Sequence, residues 1–239
     1  MIPKIIYQTW KTNTFHPTIQ TRIDDMKKYY QGYEYQFFLD DDMDDFVNNN
    51  FDKDIINCYN SLNIRVAKVD FWRYLILYKH GGIYLDMDSG IHHPLNDLIK
   101  DDDDAIITAE GNPNLYVQWA LIFKKEHPIL KKTIEIVTEN IKMNKYPHDI
   151  HKMTGPTAFT LAVNEVHKEL YNDTINHATI CKDTNNIYNK DGVRYRIYGI
   201  DYNQYFSCKY PECRTLFKDS VKWKILQKTE PIVKIPNNI

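Results

Sequence analysis

The stretch Ala67-Lys68-Val69-Asp70-Phe71-Trp72-Arg73-Tyr74-Leu75-Ile76-Leu77-Tyr78-Lys79-His80-Gly81-Gly82-Ile83-Tyr84-Leu85-Asp86-Met87-Asp88 decides the fold. Ile64 to His80 reads as the strongest helix of the chain, and Gly81-Gly82 ends it, as glycine does beyond a helix C-terminus. Ile83 to Asp88 reads as a strand. Asp70 and Arg73, three residues apart, share one face of that helix. Their neighbours Val69, Trp72, Ile76 and Leu77 are apolar, so a charge pair placed there suggests the edge of a cleft. In the strand, period-two alternation puts Ile83, Leu85 and Met87 on one face and Tyr84, Asp86 and Asp88 on the other. Two carboxylates closing an apolar strand suit a hard divalent cation, Mn2+ or Mg2+, which binds through a few carboxylates plus substrate phosphates. Asp-x-Asp occurs at 40/42, 42/44, 52/54, 86/88, 101/103 and 102/104. Only 86/88 closes an apolar strand behind a Gly-Gly turn, so context selects it.

Working outward, Ile2 to Trp10 reads as a first buried strand, and Pro17 opens a helix to about Gln31. Tyr33 to Leu39 is a second strand, and Asp40 to Asp45 caps a short helix. Ala105 to Ala109 and Leu115 to Lys124 read as strands, and Pro128 to Met143 as a long helix. Thr154-Gly155-Pro156 precedes another helix, and β-leaning segments lie around 193–206. Strands alternating with helices argue for an α/β fold with a mostly parallel sheet, whose ligands sit at the carboxyl ends of its strands.

The 239 residues fit one domain, 1–239. Thirty Lys+Arg against 32 Asp+Glu leave a formal charge of −2, which gives no basic stripe for nucleic acid. No run approaches the length of a membrane span. Met1-Ile2-Pro3-Lys4 lacks the apolar core of a secretion signal, so the expected compartment is cytoplasmic, with Cys58, Cys181, Cys208 and Cys213 as free thiols. No G-x-S-x-G elbow or glycine-rich nucleotide loop is present, which argues against an α/β-hydrolase and the usual nucleotide-binding loops.

The helix–Gly-Gly–strand segment resembles the DXD-containing glycosyltransferase family, which includes yeast initiating mannosyltransferases, inositolphosphoceramide mannosyltransferases and, more distantly, the clostridial glucosylating toxins. Asp70, Arg73, Tyr74, Leu77, Gly81, Gly82, Tyr84, Asp86 and Asp88 stand in the register of its pattern. Ile2-Pro3-Lys4-Ile5-Ile6-Tyr7-Gln8-Thr9-Trp10 is similar to its N-terminal motif, and Thr154-Gly155-Pro156 is a further match. The resemblance implies a GT-A fold with a donor-binding part over about 1–125 and an acceptor side over about 126–239. It implies a hexosyltransferase that moves sugar from a UDP- or GDP-sugar donor to a glycan, protein or lipid acceptor, with retention and with Mn2+ or Mg2+.

By position, the resemblance assigns Asp88 to the metal directly and Asp86 to the metal and the donor. Asp70 and Arg73 go to donor-sugar hydroxyls, Tyr84 to the donor site, and Thr9 and Trp10 to the nucleobase. Asp86, Asp88 and Arg73 form the catalytic set. Fungal members end with a His followed by a Gly-Ser-Trp cluster. Here no His follows His177; Ser220 and Trp223, or Asp219, Glu212 or only the diphosphate and water, are the alternatives for completing the metal and phosphate shell. The competing reading is a nucleotide-sugar or glycan-binding module of the same fold without turnover.

Overall fold

The computed structural model describes residues 1–112, 114–180, 186–199, 205–208, 216 and 222–234. A seven-stranded sheet organises the chain. Its strands are β1 (Ile5–Thr9), β2 (Glu34–Phe38), β3 (Gly82–Leu85), β5 (Ala105–Thr108), β6 (Ala120–Phe123), β7 (Asn186–Lys190) and β8 (Val193–Tyr198). Their order across the sheet is β2-β1-β3-β6-β5-β8-β7. β1 pairs in parallel with β2 and β3, and β5 with β8. β6 runs antiparallel to both β3 and β5, and β7 antiparallel to β8. Five of the seven strands therefore point the same way. β4 (Ser89–Ile91) and β9 (Phe206–Cys208) form a separate two-stranded ladder that the sequence reading did not anticipate.

Alternation along the strands feeds two cores. Tyr7, Tyr84, Leu121 and Phe123 face one cluster, and Ile6, Ile83, Leu85 and Ile122 face the other. The first cluster is covered by α2 (Asp40–Asn50), α3 (Lys53–Ser61), α4 (Arg65–His80), α6 (Pro128–Lys142) and α8 (Pro156–Tyr171). The Asp-rich run opens α2 as expected, with Asp40, Asp41 and Asp42 in its first turn at the positive end of the helix dipole. α1 (Pro17–Met26) continues as a single 3-10 turn at Lys27–Tyr29.

α4 is buried without a break from Val69 to Leu77. Its end is fixed by Gly81, whose N–H donates to the Leu77 carbonyl at 2.8 Å with φ at 69°. A Cβ there would lie 2.6 Å from the Lys125 nitrogen, and one on Gly82 (φ 109°) 2.8 Å from the Ile5 carbonyl oxygen. Only glycine lets the chain double back this closely and enter β3 beside β1.

Candidate active site

The carboxyl ends of β1 and β3 lie side by side. Tyr7 pairs with Tyr84, so the next residues on each strand bring Thr9 level with Asp86. The Gln8 amide donates to the Asp86 carbonyl at 3.2 Å, and the Asp86 N–H to the Trp119 carbonyl at 2.8 Å. β3 stops at Leu85. The alternation that placed Asp86 and Asp88 on one strand face therefore does not apply. They sit on a tight turn instead, closed by the Ser89 N–H donating to the Asp86 carbonyl at 3.0 Å. The turn sets both residues at the strand end, where a ligand of an α/β sheet binds.

Asp70 and Arg73 lie deeper than a cleft edge, at 5% and 3% exposure. Burying a charge pair is costly unless its remaining polar atoms are satisfied. Asp70 accepts from the Gln118 amide at 2.7 Å and from the Thr154 hydroxyl at 3.1 Å, and Arg73 Nη2 stands 3.2 Å from its Oδ1. Arg73 Nη1 donates to the Gln118 carbonyl at 2.9 Å, and Nη2 also reaches Asp86 Oδ1 at 3.1 Å. The Arg73 guanidinium lies over the Tyr84 ring at 4.5 Å, and the Tyr84 hydroxyl donates to Asp86 Oδ1 at 2.7 Å. Among the described residues, Arg73 Nε is buried and has no partner. Burial raises the Asp70 carboxyl above its ordinary value, against the pull of Arg73 and Gln118. Burial also lowers Arg73, but Asp86, Tyr84 and Asp70 outweigh it and hold the guanidinium charged.

The Asp86 side chain is 29% exposed, and among the described residues both of its side-chain contacts fall on Oδ1. Its second oxygen and the Asp88 carboxylate are hard donors of the kind a divalent cation takes. No group of three or more His, Cys, Asp or Glu side chains is gathered to hold a metal among the described residues. Two carboxylates on one turn match the oxygen-ligand preference of a divalent cation.

Thr9 is buried, with its hydroxyl on the Met43 sulfur at 3.2 Å. Trp10 follows β1, packs with Ile19, Ile23 and Met87, and carries the Arg65 guanidinium 5.8 Å from its ring centre. Asp40 in turn holds Arg65 through a 2.6 Å ion pair. The structure thus brings Asp70, Arg73, Tyr84 and Asp86 into one network, and sets Thr9 and Trp10 beside it on the neighbouring strand end. Trp223 stacks on His151, and Glu212, Asp219 and Ser220 lie outside the described residues. Cys58 is buried and free, while Cys181, Cys213 and the side chain of Cys208 lie outside the described residues.

Sequence reasoning missed Gln118 and gave Thr154 no role at Asp70. Tyr74 binds both, donating toward Gln118 Oε1 at 3.0 Å and the Thr154 carbonyl at 3.1 Å. The signal available was the Thr154-Gly155-Pro156 match. Nothing local marks Gln118, which the antiparallel pairing of β6 with β3 delivers.

The fold is that of GT-A glycosyltransferases. It superposes on the solved structure of PaToxG glycosyltransferase with a TM-score of 0.55, at 19% identity over 72% of each chain. Residues 17–105 match the glycosyltransferase sugar-binding region containing DXD motif. It is 37% identical over 156 residues to inositol phosphoceramide mannosyltransferase 3 of Schizosaccharomyces pombe, covering 65% of this chain and 43% of that one. It is 26% identical over 206 residues to the initiation-specific alpha-1,6-mannosyltransferase of Candida albicans, covering 68% of this chain and 52% of that one. The chain thus spans about half the length of these curated relatives.

Proposed function

We propose that the chain is a metal-dependent glycosyltransferase that moves a hexosyl group from a nucleotide-sugar donor to an acceptor hydroxyl with retention. The observation that carries this reading is the buried Asp70–Arg73 pair tied to a partly exposed Asp86 at the ends of β1 and β3. A buried ion pair is a poor source of stability, so its placement at a strand end is better explained by ligand recognition.

Asp70 and Arg73 present a carboxylate and a charged donor to the hydroxyls of the donor sugar. Gln118, Thr154 and Tyr74 hold Asp70 in one orientation, so little reorganisation accompanies binding. Tyr84 and Arg73 hold Asp86 at the mouth of the site. Thr9 and Trp10 lie where the nucleobase would rest. Asp88 and Asp86 would hold Mn2+ or Mg2+. That ion supplies Lewis-acid neutralisation of the leaving diphosphate. The acceptor oxygen bonds to the anomeric carbon as the bond to phosphate breaks, and its proton leaves with the departing phosphate. Attack on the face that the nucleotide leaves requires no protein nucleophile. The names of the relatives make a mannosyl donor the first to try, and the acceptor class is a glycan, a protein or a lipid.

Nucleotide release from a panel of UDP- and GDP-sugars, with and without Mn2+, tests the proposal. Metal-dependent release from one donor is the expected result. Failure of every donor both to turn over and to bind in the presence of metal would leave no transferase site.

A further inference from the structure

The helix Trp223–Thr229 is fastened along one side and bare along the other. Trp223 and Gln227, four residues apart, share its inward face. The Trp223 ring stacks on His151 of α7 (Ile150–Met153), with centroids 5.9 Å apart. The Gln227 side-chain oxygen accepts from the Ile150 N–H at 3.0 Å, and the Gln227 carbonyl accepts from His148 Nδ1 at 2.8 Å. Just beyond the helix, the Ile232 N–H donates to the Pro147 carbonyl at 2.9 Å, and the Ile232 side chain is wholly buried. These contacts fix which face the helix turns to solvent.

That outward face carries Ile225 and Leu226, at 66% and 45% exposure. Among the described residues they are the only exposed large apolar side chains that are neighbours in the sequence. Single exposed apolar side chains are ordinary, whereas contiguous ones rimmed by polar groups mark a contact surface. The rim here is cationic: Lys222, Lys224 and Lys228 are exposed around the pair. No carboxylate lies within the helix. Glu230 follows its end, and Asp149 on the neighbouring wall is paired with Lys152 at 3.2 Å. Two aliphatic side chains ringed by cations complement an interface that is anionic at its surface and apolar beneath. Lysine suits such an interface, because its stem lies along apolar surface while its ammonium stays among the headgroups. Two other occupants fit less well. In a two-fold dimer the same lysines would face each other, and the seven residues of this helix offer far less than the roughly 800 Å² per partner of a stable interface. Protein interfaces in general favour arginine and aromatic residues and are depleted in lysine.

We propose that this helix face is a docking surface for an anionic lipid bilayer. Ile225 and Leu226 enter the headgroup boundary, and Lys222, Lys224 and Lys228 meet the anionic groups of the lipids. The contact is peripheral and reversible. Two aliphatic side chains bury little, so charge supplies much of the attraction, which weakens with salt. The surface uses no residue of the Asp70–Arg73–Asp86 network and stands apart from the transferase reading.

The test is cosedimentation of the full chain with vesicles, without donor or metal. One set of vesicles is phosphatidylcholine alone, and the other contains three-tenths phosphatidylserine. The variants are Ile225→Gln with Leu226→Gln, and separately Lys224→Gln with Lys228→Gln, each checked for an unchanged melting temperature. Lys27→Gln with Lys28→Gln controls for bulk charge. Those two lysines follow Met26 of the second core, whereas Trp223 packs on the first, across the sheet. Expected is binding to the phosphatidylserine vesicles roughly tenfold tighter or more than to phosphatidylcholine, falling as salt is raised. The lysine variant should lose about fivefold per lysine, the apolar variant roughly tenfold, and the control nothing. Absence of binding, equal binding to phosphatidylcholine, or an equal loss in the control overturns the proposal. So does undiminished binding in either helix variant; in the apolar one it would mean charge attraction alone.

Discussion

Among the described residues, two arginines are buried against aspartates, and they are arranged differently. Arg196 forms a fork on Asp103, with Nε on Oδ1 at 2.6 Å and Nη2 on Oδ2. Nη2 also donates to the Leu98 carbonyl at 2.6 Å and Nη1 to the Tyr198 hydroxyl at 2.8 Å, while the Asp103 side chain is wholly buried. Arg73 instead divides one nitrogen between Asp70 and Asp86, leaves Nε without a partner among the described residues, and opens toward solvent at Asp86. The first pair is closed on itself and fastens α5 (Leu95–Leu98) and the loop after it to β8. The second keeps a partly exposed carboxylate, Asp86, at the strand ends. Buried charge alone does not mark a site; a buried pair that also reaches a partly exposed carboxylate is the better candidate.

Arg196→Met leaves Asp103 buried and unpaired, and should cost about 3–5 kcal/mol in urea unfolding with donor turnover per folded molecule unchanged. A selective loss of turnover would mean that the two pairs are not different in kind. At the open end, Asp88→Asn should lower metal-dependent nucleotide release by roughly 100- to 1,000-fold with an unchanged melting temperature. Full activity in that variant would remove Asp88 from the metal.

A smaller effect sharpens the closed side. Burial pushes the His127 imidazole down to about 4, against a hydrogen bond at the Arg194 carbonyl of β8 that raises it. Its Nδ1 accepts from the Ile129 N–H, so the neutral ring carries its proton on Nε2. Because the folded value lies below the ordinary 6.5, this stability is present above pH 6.5 and is lost as pH falls from 6.5 through about 4. The full loss is on the order of 3 kcal/mol, and unfolding curves at pH 7 and pH 4.5 with and without His127→Asn would show the slope shrinking in the variant. Least of all, Thr154→Val removes one donor to Asp70 and should cost about 1 kcal/mol in donor-sugar binding. An unchanged affinity would make that hydroxyl a packing group.

The sequence made the α4–Gly-Gly–β3 unit legible because its signals are local: a long apolar helix, two glycines and a strand. The direction of most strands followed from the alternation of helices and strands. The turn at Asp86–Asp88 was not legible, since Met87 continues the apolar alternation through a bend made by a backbone hydrogen bond. Gln118 was hidden because its partners are 44 and 48 residues away in sequence. Trp223 drew notice as a counterpart of a family cluster, yet its stacking on His151 depends on how the chain returns to α7.

In the proposed mechanism Arg73 and Asp70 read the donor sugar. The most direct test of that role is the affinity of Arg73→Ala for a turned-over nucleotide-sugar and for the matching nucleoside diphosphate, both with Mn2+, on material whose circular dichroism matches the unaltered chain. Weakened binding of the nucleotide-sugar, with the bare diphosphate bound as before, is the predicted result. Equal loss for both ligands would contradict it.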